Sequence, residues 1–168
     1  MSIIFCPRSV PLSLTVYTKE QFDDAHESFC NWGVQNIWLT ERRENGIVAK
    51  GSGPPSYGQI GKTFSVVLSV VIYYCHLPNY DKSVEISGWL HAAVDTKMMR
   101  HLKQLYPDHI QPWPSTIKDV KRKQYFAIQE AVSKLIEDCH NGEITPVQYE
   151  DIYWEALNRK LVKIKVIP

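Results

Sequence analysis

Thr63-Phe-Ser-Val-Val-Leu-Ser-Val-Val-Ile-Tyr-Tyr-Cys-His76 is the most apolar and most β-branched stretch of a 168-residue chain. Branching at Cβ restricts χ1 in a helix and suits a pleated surface, so the stretch reads as one long strand, buried on both faces. Its neighbours extend the reading. Leu77 to Lys82 supplies turn residues, and Ser83 to Leu90 reads as a partner strand with Val84, Ile86 and Leu90 on one face. Upstream, Asn45-Gly46 is a strong type I′ hairpin signal between strands at Val34–Arg42 and Ile47–Lys50. Leu12–Tyr17 and Leu161–Ile167 alternate with period two and add strands at the two ends.

Helical periods occupy the rest. Thr18 with Gln21 makes a capping box for a short helix carrying Phe22, Ala25, His26 and Phe29 and stopping at Gly33. Asp95 caps a helix with Val94, Met98, Leu102 and Leu105, ended by Pro107. Ser115 or Thr116 caps the longest helix, whose stripe Val120, Ile128, Val132, Leu135, Ile136 and Cys139 ends at Asn141-Gly142. Thr145-Pro146 with Gln148 starts the last helix. Tyr106–Pro114 is too rich in proline for regular structure and reads as a stiff surface loop. The expected fold is a single α+β domain, residues 1–168, with a mostly antiparallel sheet of about five or six strands packed against three or four helices.

Composition narrows the function classes. The hydrophobic fraction is 44 %, the charged fraction 22 % and the formal net charge +1, an ordinary folded chain with no bulk field toward nucleic acid or anionic lipid. The stretch at 63–77 is too short and too interrupted to span a bilayer, and no secretory signal is visible, so a cytoplasmic protein is expected. Cys6, Cys30, Cys75 and Cys139 are widely spaced, which fits reduced, mostly buried thiols rather than a disulfide frame or a zinc site.

Gly51–Lys62 ends Gly61-Lys62-Thr63 and resembles half a phosphate loop. It lacks the glycine five residues before Gly61, where Ser56 stands, and a strand is expected to follow, so it reads as a hairpin connection. The six histidines show no paired metal-ligand spacing, and neither a metal nor another cofactor is expected. Lys97, Arg100 and His101 read as a solvated helix face, as does the basic group Lys118, Lys121, Arg122 and Lys123, which acidic residues follow on the same helix. No catalytic constellation emerges. The enzyme alternative is a small hydrolase or nuclease using His91 or His101 with a cysteine, such as Cys75, or a carboxylate.

Five Trp and nine Tyr are many for this length, and several fall in loops. Aromatics on stiff loops make good interface anchors. In its Met1-Ser-Ile-Ile-Phe start, its compact size, the loops Pro112-Trp113-Pro114 and Asn79-Tyr80-Asp81, and acidic residues near turns, the chain resembles the small immunity proteins of bacterial polymorphic-toxin and contact-dependent growth-inhibition systems. That resemblance implies a cytoplasmic binding protein that occludes a toxin domain, such as a nuclease, by protein–protein contact. The candidate partner-binding residues are Tyr80, Asp81, Tyr106, Asp108 and Trp113, with Glu143, Glu150, Asp151 and Trp154 as a second patch. A mobile-element protein inhibiting a host factor would use the same chemistry.

Overall fold

The computed structural model describes residues 18–44, 47–50 and 52–158, most of them in helices. In order these are α1 (Lys19–Asn36), α2 (Tyr57–Leu68) running into a π-helical segment (Ser69–Tyr74), α3 (Tyr80–Ser87), α4 (Thr96–Leu105), a 3₁₀ turn (Ile117–Asp119), α5 (Arg122–His140) and α6 (Pro146–Asn158). Among the described residues the sheet is one antiparallel pair, β1 (Arg42–Glu44) with β2 (Ile47–Lys50), plus an isolated bridge between Leu39 and Gly53. The expected α+β architecture with a five- or six-stranded sheet is therefore corrected. The expected strand Ile47–Lys50 forms, paired with Arg42–Glu44 and not with the expected strand at Val34–Arg42, whereas Asn45-Gly46 and the strands read at 12–17 and 161–167 lie outside the described residues.

The largest correction falls on Thr63–His76, which is helix through Tyr74 and turn beyond it, not strand. β-branching costs a helix only a few tenths of a kcal/mol per residue, roughly 0.7 at most, and packing overrides it easily. What decides the outcome is a stripe of small residues. Gly58, Gly61, Ser65 and Ser69 recur every three or four positions and are all buried, so α2 presses a flat flank against its neighbours while the valines point the other way. A Cβ on Gly61 would sit 2.5 Å from Cε2 of the Tyr125 ring on α5, and one on Gly58 would sit 2.8 Å from the Ile117 carbonyl oxygen. The helix starts at a complete capping box, in which Ser56 Oγ accepts from Gln59 N and Gln59 Oε1 accepts from Ser56 N. Gly61-Lys62-Thr63 thus lies inside a helix, and the residues from Tyr57 onward are not a hairpin connection.

Gly61→Ala measures this contact. In an open helix alanine would stabilise by about 1 kcal/mol over glycine, but here the new methyl meets a buried ring, and a net loss of ~1–3 kcal/mol is expected in thermal or denaturant unfolding. A stabilised variant would show that α2 does not seat on Tyr125.

Ser83–Leu90 is corrected likewise. Asn79 caps α3 by accepting from Lys82 N, and Ser83 and Ser87, one turn apart, are the buried positions. The caps at Thr18, Asp95 and Thr145 and the stop at Asn141-Gly142, both residues left-handed, form as expected. Thr116 caps the 3₁₀ turn instead of the longest helix, which starts at Arg122. α1 runs past Gly33 to Asn36, through the beginning of the expected strand.

The main core gathers Met98, Met99 and Leu102 of α4, Ile128, Val132 and Leu135 of α5, and Tyr149 and Tyr153 of α6. A smaller cluster of Phe22, Ile72, Leu90 and Val147 seals the far side of α2 and its π segment. Of the described cysteines all are free; Cys30 is buried but Cys75 and Cys139 are exposed, which corrects the expectation of mostly buried thiols. No helix among the described residues is long and apolar enough to cross a membrane.

Candidate interaction site

The expected anchor residues divide sharply. Trp113 is only 8 % exposed and belongs to the main core. Its Nε1 donates to the carbonyl oxygens of Pro107 at 3.1 Å and Tyr106 at 3.3 Å, so the proline-rich loop folds back over the molecule with the indole as its plug. It is no exposed anchor. Tyr106 is half-buried, its hydroxyl donating to Asp138 Oδ2 at 2.7 Å under Lys134. Asp108 is exposed and accepts from Gln111 Nε2, and Glu143 is exposed just beyond α5. Trp154 is half-buried against Tyr153 with Lys97 Nζ 5.6 Å from its ring centre.

Asp151, one of the expected residues, meets a tyrosine from a distant part of the chain. The π segment ends at Tyr74, whose hydroxyl donates to both carboxylate oxygens of Asp151 on α6, at 2.6 and 2.8 Å. Two residues on, His76 packs its ring 5.1 Å from that of Tyr80 and places Nδ1 3.3 Å from Ser83 Oγ, which fixes the start of α3 beside the π segment. Tyr80 is 65 % exposed, Tyr74 53 %, and Asp81 and Asp151 are both exposed. Glu150 turns inward: Ala93 N donates to it at 3.0 Å, and burial lifts its carboxyl above the usual range. Two exposed tyrosines and two exposed carboxylates thus lie at the end of the π segment and on the α3 and α6 elements that adjoin it, Tyr74 bonded to Asp151 and Tyr80 next to Asp81 beside His76. The sequence reading missed Tyr74, whose signal was that it follows an uncharged run yet carries a polar tip.

The histidines go elsewhere. His26 (1 % exposed) and His91 (8 %) meet in the interior with ring centres 4.4 Å apart. Tyr125 Oη lies 3.2 Å from His26 Nε2, 3.2 Å from His91 Nδ1 and 3.3 Å from Ser65 Oγ. Cys30 Sγ is 3.6 Å from His26 Nδ1, and His91 Nε2 is 3.3 Å from Asp23 Oδ1, an atom with no other partner among the described residues. One proton assignment satisfies every link: Cys30 to His26, His26 to Tyr125, Tyr125 to His91, His91 to Asp23. Burial dominates the titration, holding His26 down to about 3, pushing the Cys30 thiol up to about 12 and keeping His91 below its usual range despite Asp23.

The enzyme alternative is therefore answered in part. His91 does meet a carboxylate, but its ring is buried among Phe22, Phe126 and Tyr125, while Asp23 is about one third exposed and also pairs with Lys19. The cysteine that contacts the buried His26 is Cys30, not the exposed Cys75. His101 stacks on Tyr153 with Nδ1 buried and unpartnered, and burial lowers its pKa. Among the described residues no three His, Cys, Asp or Glu side chains are placed to hold a metal ion. Of the basic group, Arg122 is clamped by Glu27 through two contacts of 2.6 Å.

No family model matches the chain, and neither the curated proteins nor the solved structures compared with it include a match.

Proposed function

We propose that this chain is a binding protein that neutralises a protein partner, with the Tyr74, Tyr80, Asp81 and Asp151 corner as its recognition surface. The observation that supports the reading is the exposure of aromatic rings next to exposed carboxylates. Two aromatic anchors and two carboxylates from three elements are exposed together, Tyr74 held by its hydrogen bond to Asp151 and Tyr80 by its ring contact with His76, while His26 and His91 are buried and use their ring nitrogens in one shared network. An exposed aromatic beside a carboxylate suits a basic cleft on the partner, where the ring supplies buried area and the charge supplies steering and register. A toxin domain with a cationic substrate groove, such as a nuclease, has that chemistry, and occluding the groove would neutralise it. An inhibitor of a host nucleic-acid enzyme would bind in the same way.

The test is co-expression and co-purification with any toxin domain encoded beside this gene. A stoichiometric complex and protection of the cells are expected. Tyr80→Ala with Asp81→Lys should weaken the complex by more than ~10-fold while leaving the melting temperature within a few degrees, since neither side chain is buried. A partner bound equally well by the double variant would remove the corner from the interface, and no binding at all would reject the neutralising role.

A further inference from the structure

A second surface, which meets that corner at Tyr74, asks for an occupant. The flank of α2 and its π segment opposite the small-residue stripe exposes Val66, Val67, Val70 and Val71, each 38–50 % accessible. Phe29 of α1 stacks on Phe64 at 4.0 Å, and Trp32 lies 5.9 Å beyond Phe29, so two half-exposed aromatic rings continue the face. From Thr63 to Asn79 the chain holds no Asp, Glu, Lys or Arg. An uncharged apolar face of this extent is unusual for a surface left in water.

We infer that this face seats a second copy of the chain, with α2 of one protomer laid across α2 of its partner about a two-fold axis. Three observations favour a copy over a different protein. A two-fold contact places like against like, which an uncharged strip accepts and a charged one resists. Val66-Val70-Tyr74 and Val67-Val71 form rows four residues apart, the ridges that interlock when two helices pack. The exposed parts of the four valines, Phe29 and Trp32 sum to roughly 500 Å², and the flanking Thr63, Phe64 and Tyr74 bring the face toward the ~800 Å² that each side contributes to a standard interface. The valines are also stiff at χ1, so ordering them on contact sacrifices little rotamer freedom. The two surfaces share Tyr74 at their border, so the variants that test self-association alter only the valines and leave the corner's residues unchanged.

Sedimentation velocity or light scattering on the full chain, from low to high micromolar, tests it. A species of twice the 19.4 kDa chain mass is expected, dissociating on dilution. Val67→Asp with Val71→Asp should weaken self-association at least ~100-fold, because a carboxylate would be buried against its own copy. Circular dichroism and the melting temperature of the dilute monomer control for folding, and Val70→Lys is a second variant if the first does not fold. The monomeric variant should still bind the partner of the corner. A wild-type chain that stays monomeric throughout overturns the inference. So does a monomer that self-associates only after residues 1–17 are removed, since its own terminus would then occupy the face, or a dimer that the aspartate pair leaves intact.

Discussion

Tyr125→Phe is expected to destabilise the protein by about 2–4 kcal/mol, although it removes a single oxygen from a ring that stays in place. That oxygen serves three buried partners: it accepts from His26 and Ser65 and donates to His91. Without it, two imidazole nitrogens and a serine hydroxyl are left in an apolar interior, and each such group costs about 1–3 kcal/mol unless a neighbour re-pairs it. In a chain of this size each kcal/mol corresponds to roughly 2–4 °C, so calorimetry should register a fall of around 5–15 °C. A change below ~0.5 kcal/mol would mean that the chain of hydrogen bonds carries no net stability.

The same cluster should make the fold sensitive to mild acid. In the unfolded chain each imidazole titrates near 6.5, whereas burial, with Lys19 nearby, keeps the folded His26 neutral to about 3. His91 is depressed for the same reasons, with Asp23 opposing. Below pH 6.5 the unfolded state therefore binds protons that the folded state refuses, and stability falls as the pH falls. The contribution is complete above about pH 7.5 and declines by ~1.4 kcal/mol per pH unit for each histidine, or ~4 kcal/mol for the two together at pH 5. Urea unfolding at a series of pH values should show this slope, and His91→Gln should roughly halve it. Equal stability at pH 7.5 and pH 5 would show that the two imidazoles are free to protonate within the fold.

What the sequence revealed was punctuation. Thr18, Asp95, Thr145 and Asn141-Gly142 act over three or four residues through their own side chains and backbone, so the cap or stop forms whatever the distant chain does. The body of an element has no such protection. The valines of the 63–76 stretch argued for a strand from composition, while the helix was written in glycines and serines, whose period is easily read as turn and linker chemistry. The same preference misjudged Trp113: its flanking prolines did make a loop, but an indole with two carbonyl acceptors within reach gains more by folding inward. Tyr80 and Asp81 are exposed as expected, though on the first turn of a helix and not in a hairpin. The interior cluster joins residues from α1, α2, α5 and the loop before α4. Only the four-residue spacing of His26 and Cys30 hinted at it.

The π-helical segment gives this chain a constraint on length as well as on residue type. Between Ser69 and Tyr74 the amide bonds reach back five residues or more, Cys75 N to Val70 O and Leu77 N to Val71 O, which amounts to one residue more than an α-helix of that reach would need. Each residue turns an α-helix by about 100°, so the surplus residue sets the phase of everything beyond it. It lets Ile72 stay in the small core cluster while Tyr74 swings out to Asp151. A related chain could exchange the valines for other apolar residues and keep the corner. A chain one residue shorter here would rewind the segment, point Tyr74 away from α6 and disconnect the corner from the fold that holds it.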